Sequence, residues 1–357
     1  MNITLIKENE LNQISDNNKN IIFGAGDFGT KVLLPILKNN GVNIHYFWDN
    51  DPNKQGKFID NIKILSYDEI SKFEHLNIIV GSNYIMQEKE RIKKLSYDNI
   101  YQYCMPEDLV KVSQDIIDKS IIEIEKIKYI FKDELSLKSI DAMLDYLKNR
   151  NVDVFKAIAN PSEHYLVPEV IKALKNNDTY IDLGAFIGEF PLALKKMNIN
   201  FDKCYCFEIS AKNCEKLKNN IKKIGLSEKV ECCELAAFDS NGFIKINDDG
   251  ANSKISDNSA DNIVETVKLE DYMKNKKFDY IKSDIEGAEM NALIGAKEVL
   301  IKNRPIIAFS IYHSLEDYYT IPQFLYNLLK NYTFYIRNHS VYCAEIVVYA
   351  IPNERIA

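Results

Sequence analysis

The stretch Tyr180-Ile181-Asp182-Leu183-Gly184-Ala185-Phe186-Ile187-Gly188-Glu189-Phe190 constrains the fold more than any other part of the chain. Tyr180 to Leu183 is predicted as a short buried strand and 184–188 as the turn after it. A helical pattern then runs from Gly188 to about Met197. Strand, glycine turn and helix in that order put a ligand at the carboxyl edge of a parallel sheet. Gly184 and Gly188 carry no Cβ, so the backbone can approach that ligand closely. Asp182 stands just before the first glycine. A dinucleotide's pyrophosphate would lie here, against a helix N-terminus that favours anions, and a carboxylate would repel it. A cationic ligand would be favoured instead, and S-adenosylmethionine (SAM) carries both a sulfonium and an ammonium. The order of acid and glycine therefore points towards SAM and away from NAD. A tight βα turn with a surface Asp is the plainer alternative.

Upstream, the pattern of a nucleotide fold occurs once more. An apolar strand over 20–23 leads into Gly24-Ala25-Gly26-Asp27-Phe28-Gly29 and a helix to about Lys38. A strand over 42–48 ends in Asp49, twenty residues after Gly29, the spacing of a ribose-binding acid. A helix over 66–73, a strand over 77–80, a helix over 84–95 and a strand over 99–103 complete a small doubly wound domain. The expected division is 1–110 for this domain, 111–159 for a helical linker and 160–357 for the second domain. The linker reading rests on apolar residues at helical spacing, Ile116, Ile117, Ile121, Ile124, Ile127 and Ile130. A loop around Asn160-Pro161 carries His164 and Tyr165 and is expected to lie over the ligand mouth.

In the second domain Lys203 to Phe207 reads as a strand, and Glu208 ends it, placed to accept hydrogen bonds from ribose hydroxyls. Ala236 and Ala237 follow a third strand and leave space for a flat ring. Strands over 243–246 and 263–269 form a hairpin whose long connection, with Asn252, borders the site. A strand over 278–283 ends at Asp284, and Glu286 and Glu289 are predicted to share one face of a helix running to about Asn303. Strand 306–311 ends at Tyr312 and His313. Two final strands, 332–337 and 344–351, pair antiparallel because no helix separates them.

Charge and cysteine content narrow the class. The net charge is −7 and the pI about 5.5, which argues against a nucleic-acid partner. The seven cysteines contain no C-x-x-C pair and read as reduced thiols. No apolar run is long enough to cross a bilayer, and Met1 to Leu11 lacks the form of a signal peptide. The expectation is a soluble cytoplasmic protein. Its oligomeric state is open, a homo-oligomer included.

Residues 160–352 resemble a methyltransferase of the FkbM family. The blocks that carry the likeness are Tyr180 to Phe190, Phe207-Glu208, Phe278 to Glu289 with Asp-Ile-Glu-Gly-Ala-Glu, Ser310-Ile-Tyr-His313, Tyr335 to Ser340 and Glu345 to Ala350. Asn338 and Ala344-Glu345-Ile346 depart from the family's pattern at positions expected to touch substrate. The order of elements reads as an α/β fold of two doubly wound, Rossmann-like domains, and the resemblance implies that the second is a seven-stranded methyltransferase sheet closed by a hairpin. It implies SAM held by Asp182, Gly184, Ala185, Gly188, Glu189, Phe190, Glu208, Ile209, Ala236, Ala237 and Ser283. Tyr165, Asn252, Glu286, Arg337 and His339 are the expected substrate contacts. The activity implied is O-methylation of a hydroxyl of a sugar or natural product, with many members in bacterial capsule or surface-polysaccharide synthesis; the first domain favours a sugar carried on a nucleotide as the acceptor. His313 is the favoured general base, its ordinary pKa being near neutrality, with Asp284 holding it or the acceptor. A divalent metal on Asp284 and Glu286 is the less favoured alternative. Asp49-Asn50-Asp51-Pro52-Asn53-Lys54-Gln55-Gly56 resembles the nucleotide-sugar-binding domain of bacterial sugar acetyltransferases, with Gly24, Gly26, Gly29 and Asp49 as the nucleotide site. Two rivals remain: an NAD-dependent sugar-nucleotide oxidoreductase using the first domain, and a non-catalytic nucleotide-sugar-binding scaffold.

Overall fold

The computed structural model describes every residue except 1–3, 7, 27, 82–87, 104–113, 150–152, 162–163, 248–253, 256–261, 342–343 and 357. Asn252 therefore lies outside the described residues. The chain divides into two compact units, Met1–Lys111 and Val112–Ala357.

In the first unit, strands β1 (Thr4–Ile6), β2 (Lys19–Phe23), β3 (Tyr46–Trp48), β4 (Phe58–Ile59), β5 (Ile62–Leu65), β6 (Leu76–Val80) and β7 (Tyr97–Tyr103) form one sheet in the order β1-β7-β6-β2-β3-β5-β4. All neighbours run parallel except β4 and β5. Alternation along the strands sends Ile22, Phe47 and Ile79 into one core and Ile21, Phe23, Trp48 and Ile78 into the other. Both faces are buried, which is why these strands read as continuous apolar runs.

The second unit is built on β8 (Asp178–Leu183), β9 (Phe201–Phe207), β10 (Val230–Cys233), β15 (Tyr280–Ser283), β16 (Ile306–Ser310), β17 (Tyr332–Asn338) and β18 (Ile346–Pro352). The order is β10-β9-β8-β15-β16-β18-β17. β8, β9, β10, β15 and β16 run parallel, and β18 pairs antiparallel with both β16 and β17. The chain crosses from one side of β8 to the other after β10, so the carboxyl ends of β8, β9 and β15 diverge around a crevice. A smaller sheet lies beside them, in the order β11 (Ala236–Ala237), β14 (Asn262–Val267), β12 (Gly242–Asn247) and β13 (Lys254–Ile255).

Two expectations need correction. The helices Gln114–Lys126 and Glu134–Asn149 are not a linker but part of the second unit. The Ser136 hydroxyl accepts a hydrogen bond from the Ile336 amide at 2.9 Å and so ties the second helix to β17. The expected helix from 286 to 303 is two helices, Glu289–Ile294 and Lys297–Asn303. The break falls at Gly295, where a Cβ would lie 1.9 Å from the Phe238 carbonyl oxygen, so only glycine admits that strand-end approach.

Candidate active site

The loop after β8 is held by backbone and by one acid. The Gly184 and Ala185 amides both donate to the Phe207 carbonyl at 3.0 Å, and the Phe186 amide donates to Glu208 Oε2 at 2.7 Å. Gly184 has φ +75°, and a Cβ there would lie 1.8 Å from the Asp284 carbonyl oxygen. It is thus both a left-handed residue and a point of contact with β15. Glu208 Oε1 accepts from the Ser210 amide at 2.9 Å, and burial, the largest influence, raises the carboxyl above its ordinary pKa. The first unit uses the same device: Asp49 Oδ2 accepts from the Ala25 amide at 2.8 Å and Oδ1 from the Asp51 amide at 2.9 Å. Gly29 is required there, because its Cβ would meet the Gly24 carbonyl oxygen at 2.2 Å, whereas a Cβ on Gly26 would meet nothing within 4 Å.

An open cleft lies over the ends of β8, β9 and β15. Gly184, Glu208, Ile209, Ala236, Ala237, Asp284 and Glu286 line it, with Leu235, Phe238 and Ile244 as apolar wall. Three carboxylates face this space, and among the described residues no Lys or Arg does. Ala185, Gly188, Glu189, Phe190, Ser283 and Asp182 are not among the lining residues. Gly188 starts the helix Glu189–Lys196 and packs against Leu217 and Ile221, Glu189 points to solvent, and Phe190 stacks on Tyr280 in the core. Ser283 is fully buried in β15.

Asp182 requires the largest correction. It is fully buried beneath the loop, and Lys282, its register partner on β15, places Nζ 3.0 Å from Oδ1. Lys282 also donates to the Gly184 carbonyl at 2.9 Å and the Leu183 carbonyl at 3.3 Å. Burial raises the Asp182 carboxyl and Lys282 opposes it. Burial would lower Lys282, but Asp182 and then Asp284 outweigh that and raise it. We assign a charged pair, because Lys282 feels two carboxylates. The negative charge facing the cleft therefore comes from Glu208, Asp284 and Glu286, not from Asp182. Sequence reasoning missed Lys282, although a single Lys within a buried four-residue strand demands a buried counter-ion.

Asp284 gathers the polar groups at the mouth. Its Oδ2 accepts from the Tyr165 hydroxyl at 2.8 Å and its Oδ1 from the Tyr312 hydroxyl at 3.3 Å. His313, nearly buried, puts Nε2 3.3 Å from Asp284 Oδ1 and 3.9 Å from Glu286 Oε1, and Nδ1 3.1 Å from Glu289 Oε1. These are ion-pair distances without hydrogen-bond geometry. Burial pulls the Asp284 carboxyl up, but the His313 charge, Lys282 and the Tyr165 hydroxyl outweigh it and hold it below the ordinary range. Burial pulls His313 down, and the flanking Asp284 and Glu289 carboxylates outweigh that and raise it well above its ordinary value. That shift favours the protonated imidazole, whereas the sequence suggested His313 as the general base. Glu286 and Glu289 do not share a helix face: Glu286 (φ +56°) and Gly287 (φ +101°) are left-handed, and the helix starts only at Glu289. Glu289 turns back to accept from the Ile285 amide at 2.7 Å and the Gly287 amide at 3.0 Å.

Arg337 and His339 are structural. Arg337 lies 2.9 Å from Asp133, 2.5 Å from Glu169 and 2.8 Å from the Ser136 hydroxyl, so its guanidinium is spent on the start of the helix Glu134–Asn149 and on the helix Pro168–Ala173. His339 is bonded through both ring nitrogens, to the Asn160 carbonyl at 2.9 Å and the Tyr349 hydroxyl at 2.8 Å. Burial lowers its pKa to about 4. His164 stacks between Tyr165 and His339, and burial lowers it to about 3. Glu345 is raised to about 7 by burial and then by Asp284.

This geometry can be set beside known proteins. Residues 182–336 match the family model of the methyltransferase FkbM domain. Residues 16–101 match that of the C2185-like N-terminal domain. No curated protein matches the chain in sequence. The crystal structure of methyltransferase FkbM from Methylobacillus flagellatus KT is similar at 16% identity over 96% of this chain and 92% of that one, with a TM-score of 0.65. At that identity the likeness establishes a shared fold. An rRNA methylase from Streptococcus thermophilus (12% identity, 53% of this chain and 96% of that one, TM-score 0.36) is more distant. So is a putative methyltransferase from Streptococcus mutans in complex with SAH (12%, 54% and 98%, 0.36). Neither is close enough to argue from. No helix among the described residues is long and apolar enough to cross a membrane.

Proposed function

We propose that the second unit is a SAM-dependent O-methyltransferase. The observation that carries this reading is the charge of the cleft: three carboxylates and, among the described residues, no cation line it. Such a lining attracts a cationic ligand and repels a pyrophosphate. The cleft's residues fit the cofactor. Glu208 spends one lone pair of Oε2 on Phe186 and keeps acceptor capacity for ribose hydroxyls. Ala236 and Ala237 make a flat wall beside it, with Phe238 and Ile244 completing an apolar slot for a purine ring. SAM, when bound, supplies a methyl carbon already activated by a sulfonium. Asp284 accepts from two tyrosine hydroxyls and retains ionised oxygens at the cleft, where it orients an acceptor hydroxyl and attracts its proton. Tyr165 and Tyr312 fix that carboxylate.

The acceptor in this reading is a hydroxyl of a sugar carried on a nucleotide, in cytoplasmic steps of bacterial surface-polysaccharide synthesis; the FkbM-domain match is its support. Incubation with methyl-labelled SAM and a panel of sugar nucleotides tests it, with label expected in the sugar. Calorimetry that finds NAD bound and SAM unbound would sink the reading.

A further inference from the structure

We propose that Asp284, Glu286 and His313 hold one divalent cation of the Mn²⁺ class at the mouth of the cleft. The donors come from three places brought together only by the fold: the end of β15, the left-handed turn after it and the end of β16. Asp284 Oδ1 lies 3.3 Å and Glu286 Oε1 3.9 Å from His313 Nε2. Metal–ligand bonds of about 2.0–2.2 Å place neighbouring donors about 3 Å apart and opposite ones about 4 Å apart. Both separations lie in that interval, so an ion can bridge His313 Nε2 and either of the two cleft carboxylates.

The histidine supplies the second, independent observation. Its side chain is only 5% exposed, and among the described residues neither ring nitrogen has a hydrogen-bond partner. Nε2 is aimed at the two cleft carboxylates, while Nδ1 rests against Glu289, 3.1 Å away. Glu289 is fully buried and anchored by two backbone amides, so it is a fixed carboxylate behind the ring. A carboxylate on one imidazole nitrogen favours the proton there and leaves the other nitrogen's lone pair for a metal, as in carboxylate–histidine–metal arrangements. The ion would take the place of the Nε2 proton. Two carboxylates and one imidazole with open positions suit Mn²⁺ better than Zn²⁺, which takes more nitrogen and sulfur.

This inference rests on the methyl-transfer reading for its use, though not for whether the ion binds. Among the described residues lining the cleft, the groups that could take the acceptor hydroxyl's proton are carboxylates, which are weak bases. A cation on the cleft side of Asp284 and Glu286 would bind the acceptor oxygen and lower its pKa, so that a carboxylate or solvent could take the hydroxyl proton as the methyl is transferred.

The test is Mn²⁺ titration of the full chain followed by electron paramagnetic resonance of free Mn²⁺, without SAM or acceptor. One ion per chain is expected in the wild type. Glu286→Gln and His313→Gln should each weaken uptake at least about tenfold, while Glu354→Gln, an exposed acid paired with Arg304, should not. Circular dichroism confirms that each variant is folded, and Glu286→Gln, at a partly exposed turn, carries the test if His313→Gln does not fold. Absence of uptake by the wild type at millimolar Mn²⁺, or unaltered uptake by Glu286→Gln, overturns the inference and leaves His313 as an imidazolium clamp. Normal uptake with no methyl transfer to any acceptor would instead count against the methyltransferase reading alone.

Discussion

Replacing Lys282 with Met is the sharpest probe of how the cleft floor is built. The pair with Asp182 is 3.0 Å apart, and its side chains are 7% and 1% exposed. Removing one partner of a buried pair leaves an uncompensated charge and costs about 3–5 kcal/mol. The Met stem recovers packing but not the bonds to the Leu183 and Gly184 carbonyls. Lys282→Met should therefore destabilise the second unit by about 4 kcal/mol. Asp182→Leu with Lys282→Met should lie within about 1 kcal/mol of wild type, because an apolar pair of similar volume removes both desolvation costs. Urea unfolding followed by circular dichroism measures the second unit. Fluorescence of Trp48, the only tryptophan, which sits in β3, reports the first unit and should not change. The pH dependence has a defined sign. Burial raises the folded Asp182 carboxyl, so the folded state favours its protonated form, and this contribution is lost as pH rises through the folded value. Without Lys282 the rise is larger, so the deficit of Lys282→Met should narrow on going from about pH 8 to about pH 5. A single variant costing under about 1 kcal/mol, or a double variant no better than the single, would refute a charged pair beneath the loop.

Further consequences follow from the same geometry. Glu208→Ala should weaken SAM binding about 10- to 100-fold in calorimetry, the loss of charge-assisted hydrogen bonds worth about 1.5–3 kcal/mol. Gly184→Ala should destabilise by more than about 2 kcal/mol, since its Cβ would meet the Asp284 carbonyl at 1.8 Å in a left-handed conformation, and thermal unfolding reads this. Arg337→Ala should lower stability by about 3 kcal/mol in urea unfolding and leave SAM affinity unchanged, because its partners are Asp133, Ser136 and Glu169 rather than the cleft. Burial lowers His164 to about 3 and His339 to about 4. Their contribution is present above the ordinary histidine pKa and is lost as pH falls through those values, so His339→Gln should flatten the acid limb of the unfolding profile.

How much was legible varied with how local each feature was. β8, the glycine loop, Glu208 after β9 and Ala236-Ala237 are stretches in which spacing states position, and the cleft gathers most of them. The hairpin of β12 and β14 was equally readable from alternation. Misreadings came where a side chain's partner lies far along the chain. Arg337 was assigned to substrate, yet its carboxylates are at 133 and 169. His339 was likewise expected to touch substrate, yet Asn160 and Tyr349 take both nitrogens. The helix after Asp284 looked continuous, yet the Phe238 carbonyl interrupts it at Gly295.

The residue order alone established two parallel-sheet units, because apolar runs, glycine turns and strand-end acids repeat with fixed spacing. Only the assembled sheet decided which acids carry charge into the cleft. Asp182 and Lys282 are a hundred residues apart in sequence and face each other only once β8 and β15 align in register. Asp284, Glu289 and His313 likewise come together at one sheet edge. Burial and the neighbours it imposes set the protonation of each group, and neither is written in any short stretch of the chain.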